Sequence, residues 1–165
     1  MVAAPCVSPP CAHPISADIL AAANINVRSG LATDYLNHFT EIIMLLELVA
    51  DMPDMIDDAR AWQPKTYAEH FQASHFAARD LAISAYECAP ALYRVPFDQV
   101  VDELHARIAK GIDEIAAATT SPDTLAPTVA AVVSEIQAMI QRASDLIHGN
   151  TAALDQSAVD ALFST

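Results

Sequence analysis

The sequence predicts an all-α protein, a helical bundle of about four principal helices, and three observations carry that expectation. Apolar residues make up 53% of the 165, Ala prominent among them, against only 3 glycines; Ala gives up the least on entering a helix and Gly nearly the most. In the long segments the apolar positions recur every three to four residues and do not alternate. No pair of strand-like runs joined by a tight turn is visible. A chain of this length suits one domain and buries roughly 70% of its unfolded surface without help from metal or disulfide.

Each element has a local reason. Residues 1–15 carry Pro5, Pro9, Pro10 and Pro14 and read as a disordered tail, leaving 16–149 as the bundle domain and 150–165 as a linker and terminal peptide. Ser16 is placed to cap a short helix over 17–23, which Asn24 to Gly30 ends. Residues 31–51 hold thirteen apolar residues between Leu31 and Ala50 and predict a helix covered on most sides. Met52-Pro53-Asp54 breaks it, and a short acidic turn or helix runs to Trp62. Thr66-x-x-Glu69 is a capping box opening a helix or helix pair that reaches Cys88, with Ser74 as a restart point. Pro90 and Pro96 bracket a linker. Phe97–Ala118 is amphipathic, and Ser121-Pro122-Asp123 opens a last helix over about 125–148, closed by Gly149 in a C-cap position.

Charge and punctuation exclude several functions. Eight basic and twenty-one acidic residues give a net charge of −13, which repels phosphate backbones and anionic membranes and argues against nucleic-acid or membrane partners. The longest apolar runs, Ile42–Leu46 and Val129–Val133, are far short of the ~20 residues of a membrane span. The N-terminal segment lacks the basic and apolar regions of a signal peptide. Cys6, Cys11 and Cys88 cannot all pair, so a reducing cytoplasm is the simplest expectation. Cys6, Cys11 and His13 form too loose a tract for a metal. Three glycines leave no Gly-rich phosphate loop or nucleophile elbow.

Two Asp-x-x-His pairs, Asp102/His105 and Asp145/His148, imitate a di-iron carboxylate bundle in composition. Helical phase opposes that reading: Asp102 falls about 130° from the stripe of Phe97, Val101, Leu104, Ile108, Ile112 and Ile115. Asp145 and His148 fall about 180° and 120° from the stripe of Leu125, Val129, Ile136, Ile140, Ala143 and Ile147. No metal or other cofactor is expected. The candidate catalytic residues are Asp34, Asn37, His38 and Glu41, which share one flank of a helix within about 100° of arc. His38 is expected to pair with Asp34 or Glu41; alternatively the flank holds a water for attack on an acyl phosphate. Glu41, Glu47, Asp51, Asp54, Asp57 and Asp58 form an acidic run without a base, a solvated face or a docking patch for a basic partner. The aromatics of Tyr67-Ala-Glu-His70-Phe71 and His75-Phe76 read as core.

The C-terminal residues Asp155-Gln-Ser-Ala-Val159-Asp160-Ala-Leu162-Phe163-Ser164 resemble the short acidic-apolar peptide, of the type Gln-x-x-Val/Ile-Asp-x-Leu-Leu/Phe, of bacterial chemotaxis phosphatases and flagellar switch proteins. The resemblance covers about ten positions and implies docking on the receiver domain of a response regulator, with Gln156, Val159, Asp160, Leu162 and Phe163 in contact. Those phosphatases also join a helical bundle to a terminal peptide. The Asp-x-x-x-Gln pair of the bundle-type phosphatase is absent. Asp34-x-x-Asn37 is similar to the Glu-x-x-Asn motif of the non-bundle chemotaxis phosphatases, which have a different α/β fold. The expectation is therefore a cytoplasmic signalling protein that docks a receiver domain and acts as an adaptor or phosphatase. In the phosphatase version Asn37 orients water and Asp34 or Glu41 engages a partner lysine. Three rival classes stand beside it: a scaffolding bundle, a metal or small-ligand bundle using His38, Glu41, His70 and His75, and phosphotransfer on His38. A homodimer is compatible with each.

Overall fold

A computed structural model describes residues 15–150. The expected tail, but for Ile15, and the docking peptide with its contact residues Gln156, Val159, Asp160, Leu162 and Phe163 lie outside the described residues. Seven α-helices follow in chain order: α1 (Ala17–Ala22), α2 (Asn37–Asp51), α3 (Ile56–Ala61), α4 (Tyr67–Ala73), α5 (Arg79–Glu87), α6 (Ala91–Ala118) and α7 (Pro122–Ile147). Two 3₁₀ turns, Thr33–Leu36 and Pro53–Met55, lead into α2 and α3. The all-α expectation holds. Three helices exceed ten residues, and the place of a fourth is taken by the broken pair α4 and α5.

The helix α6 packs along α7, and α2 lies across α7. Both expected stripes face the centre: Phe97, Leu104, Ile108 and Ile115 of α6 and Ile136 of α7 are fully buried, with Phe39, Ile42 and Leu46 of α2 against them. Close approach of α6 to α7 depends on Gly111, where a Cβ would stand 2.5 Å from Val132 Cγ1. Around that point Arg107 bridges Glu114 of its own helix and Glu135 of α7.

Three local expectations change, and one left open, a helix or a helix pair after Thr66, is decided for the pair. Leu31 and Ala32 are not helical; Ala32 forms an isolated antiparallel bridge with Ile25. Its N–H donates to the hydroxyl of Tyr67 at 2.9 Å, so the backbone is satisfied without a helical carbonyl. The turn behind the bridge is built by Asn26, whose Oδ1 accepts from the N–H groups of Arg28 and Ser29, and by Gly30 at φ +73°. The segment from Pro90 to Pro96 is not a linker: α6 begins at Ala91 and contains Pro96. An interior proline costs about 3 kcal/mol of helix stability, and here Tyr93, Pro96 and Phe97 are all buried, which offsets that cost by apolar burial. Ser16 precedes α1 but makes no side-chain cap. Finally, α4 and α5 are two helices, separated at Ser74, whose hydroxyl donates to Phe71 O and accepts from Phe76 N.

Other local readings hold as expected. The capping box is complete, with Thr66 Oγ1 accepting from Glu69 N and Glu69 Oε2 accepting from Thr66 N at 2.8 Å. The Thr66 N–H first, and the Thr66 side chain after it, hold the Glu69 carboxyl below its ordinary range. Gly149 closes α7 at φ +76°, with Gly149 N bonded to Leu146 O and Asn150 N to Asp145 O, the two bonds of a Schellman ending. Ser29 Oγ donates to Ile147 O, tying this ending to the turn before α2. No helix among the described residues is long and apolar enough to cross a membrane. One expectation does not hold: Cys88, after α5, is disulfide-bonded, against the reduced thiols the cysteine count suggests.

The Gly111 contact gives a direct expectation. Gly111→Ala should lower stability by about 1–3 kcal/mol through overpacking against Val132, despite the ~1 kcal/mol helix advantage of Ala. A urea midpoint that stays level or rises would show that α6 and α7 yield at the crossing.

Candidate functional site

The candidate residues fall on the 3₁₀ turn Thr33–Leu36 and the first turns of α2. Asp34 is half-buried, Asn37 and Glu41 are exposed, and His38 is 3% exposed. The structure does not hold them together as one cluster. Asp34 Oδ1 accepts from Asn37 Nδ2 at 3.1 Å, while Asp34 Oδ2 meets His70 Nε2 of α4 at 3.3 Å. A carboxylate only accepts, so Nε2 of His70 carries the proton in that contact.

His38 pairs with neither Asp34 nor Glu41, contrary to expectation. Its Nε2 accepts the backbone N–H of Lys65 at 3.0 Å, and its ring stacks on Trp62 with centroids 4.5 Å apart. The fold reverses the local pairing because His38 points across the helix toward the segment joining α3 and α4. That segment needs an acceptor for a buried N–H. Burial, with His70, Lys65 and His105 nearby, pushes the His38 pKa down to about 4. A buried neutral imidazole whose nitrogen accepts a structural hydrogen bond is a poor phosphoacceptor.

Around Tyr35 the helices bring three imidazoles near each other. His38 lies 6.1 Å from His70 and 6.5 Å from His105, centroid to centroid. His105 also lies 5.5 Å from Phe39 and 6.4 Å from Trp62, and burial lowers its pKa against the opposing pull of Asp102. The phase reading set the Asp102/His105 pair aside because Asp102 faces water. Asp102 is indeed exposed, but His105, three residues on, turns inward and belongs to this hub. Tyr35 is fully buried and its hydroxyl donates to Lys65 O; burial raises its pKa. Among the described residues no three of His, Cys, Asp and Glu are disposed to hold a metal ion. His75 is exposed and stands apart from the hub.

Two clefts flank Asn37. One, about 220 Å³, is lined by Asn37, His38, Glu41, Lys65, His70 and Ser74. The other, about 460 Å³, runs from Asn26, Asp34 and Asn37 past Phe76 to Ile147 and His148. Asn37 is thus a ridge between them, next to the end of α7. His70 and Trp62 were the residues that sequence reasoning underrated. Neither has a local signal, since each acquires its role from a partner more than twenty residues away. Comparisons with protein-family models, with curated proteins and with solved structures find no match.

The hub predicts a pH dependence. With the His38 pKa near 4 in the fold and about 6.5 unfolded, the unfolded chain binds more protons between those values. Stability therefore falls as pH is lowered through that window, by on the order of 3 kcal/mol once complete. His38→Phe should cost about 1–3 kcal/mol at pH 7 by orphaning the Lys65 N–H. Its stability should then decline less steeply than wild type between pH 6.5 and 4.5. Parallel urea titrations that give equal slopes for the two proteins would contradict this account.

Proposed function

We propose that this chain is a receiver-domain docking module of bacterial chemotaxis or two-component signalling. Its C-terminal peptide supplies affinity, and the face around Asp34 and Asn37 meets the docked partner. The observation that carries the reading is the peptide itself, with Val159, Leu162 and Phe163 at helical spacing, Asp155 before them and Asp160 among them. The position of the α7 terminus supports it. The end of α7, at His148, stands beside the cleft that contains Asp34 and Asn37. Residues 149–154 span up to about 20 Å, enough to keep a partner held by the peptide near that cleft.

Adaptor action is favoured over catalysis by the pairing of the side chains. Asp34 is shared between Asn37 and His70, and His38 is committed to Lys65. The catalytic version keeps one argument, the exposure of Asn37 on the ridge between two clefts, where its amide can place a water against an acyl phosphate. This reading sets the protein in the cytoplasm, where receiver domains act. The disulfide at Cys88 weighs on the other side, because such bonds are rare where thiols are kept reduced.

Binding of the full chain to activated receiver domains of its own host, followed by calorimetry, tests the proposal. Phe163→Ala should abolish binding while leaving the thermal midpoint unchanged. A loss of about 3–5 kcal/mol on that substitution would mean that Phe163 packs in a core, and the docking reading would fall. It falls equally if no receiver domain binds, or if the native protein is recovered outside the cytoplasm. For catalysis, Asn37→Ala should retain binding and slow receiver dephosphorylation on the order of 10²–10³-fold. A wild type without acceleration leaves only the adaptor.

A further inference from the structure

The outward face of α2 is unlike the outward face of an ordinary amphipathic helix. Phe39, Ile42, Ile43, Leu46 and Val49 are buried against the bundle, and Met44 lies about 180° from the centre of that stripe. Yet Met44 is 60% exposed, Leu48 40% and Met52 48%. Met44 and Leu48 stand one turn apart at i and i+4 on α2, and Met52 follows at its C-cap. Large apolar side chains in a row on the water side cost solubility and mark an interaction surface more often than chance.

The rim decides what fits. Glu47 and Asp51 run beside the row on α2, Glu41 precedes it, and Asp54, Asp57 and Asp58 continue past Met52; all six are exposed. Of these acids Asp57 alone has an ion-pair partner among the described residues, Arg60 at 3.7 Å. There is no Lys or Arg between positions 41 and 58. We infer that Met44, Leu48 and Met52 with their acidic rim form a docking surface for a basic amphipathic helix of a partner protein. Apolar side chains of that helix cover the row while its Lys and Arg meet the rim.

The competing occupants fail on charge or on backbone. A second copy of this chain would bring the same six acids against these six. The peptide 155–164 carries Asp155 and Asp160 and no base. An anionic membrane is repelled by the same rim. An extended strand needs free backbone groups to pair with, and those of α2 are used within the helix. Methionine suits the role, since its unbranched thioether side chain adapts to different partner surfaces. The inference is independent of receiver docking, because it rests on Met44, Leu48 and Met52 and shares only Glu41 with the candidate flank.

The probe is an 18-residue helical peptide with Leu at core spacing and Lys elsewhere, titrated into the full chain at physiological salt. It is compared with a scrambled peptide of equal composition and with anionic vesicles. The amphipathic peptide should bind at least about tenfold more tightly than the scrambled one. The variant with Met44→Ser and Leu48→Ser together should lose about tenfold or more in affinity, whereas Ile19→Ser, at an exposed apolar position elsewhere, should lose nothing. Both substitutions remove exposed side chains, and circular dichroism checks the fold; Met44→Ser alone serves if the double variant is damaged. Equal binding of the two peptides would mean bare charge attraction and overturn the proposal. So would unchanged affinity in the Met44 and Leu48 variants, binding to vesicles in place of peptide, or a wild-type dimer that those variants dissociate.

Discussion

The backbone of Lys65 is held at both its N–H and its carbonyl, and much of the molecule depends on that clamp. Tyr35 donates its hydroxyl to Lys65 O, and His38 accepts from Lys65 N. The two side chains come from adjacent turns at the start of α2, so a loop that carries no secondary structure is fixed to the most buried helix. Fixing Lys65 fixes Thr66, whose capping box opens α4. It also brings Trp62 onto His38 and Tyr67 and Phe71 into the core. Backbone groups in a partly buried loop must find partners, and here two aromatic side chains supply them.

That clamp redistributes the polar groups of the candidate site. With His38 committed to the loop, Asp34 is left to Asn37 and His70, and the flank divides into a structural half and a surface half. The structural half is dry and neutral: burial depresses His38 and His105 and raises Tyr35. The surface half consists of Asn37 and Glu41 over two clefts. Chemistry that needs an exposed amide or carboxylate has a place there, and His38, committed to Lys65, takes no part in it.

The acidic segment following Glu41 obeys the same separation. One side of α2 is absorbed by the bundle, and the other is left with methionine and leucine among carboxylates. The two faces answer different constraints. The inner face is governed by packing density against α6 and α7, and the outer by exposure to solvent.

Much was legible in the sequence because it rests on local rules. Ala with almost no Gly, the 3.6-residue stripes of α6 and α7, the Thr66–Glu69 capping box and the Gly149 ending all follow from interactions within a few residues. The exposure of Asp102 was legible for the same reason. What only the tertiary structure decided is whatever depends on a distant partner. Leu31 and Ala32 leave the helix because Tyr67 offers a hydrogen bond thirty-five residues away. Pro96 stays inside α6 because its neighbours are buried against the bundle. His38 takes Lys65 in place of Asp34, and Asp34 takes His70. A short-range pattern states which groups are available, but a polar group in a core bonds to whatever the packed chain places within 3 Å. That placement is a property of the whole fold.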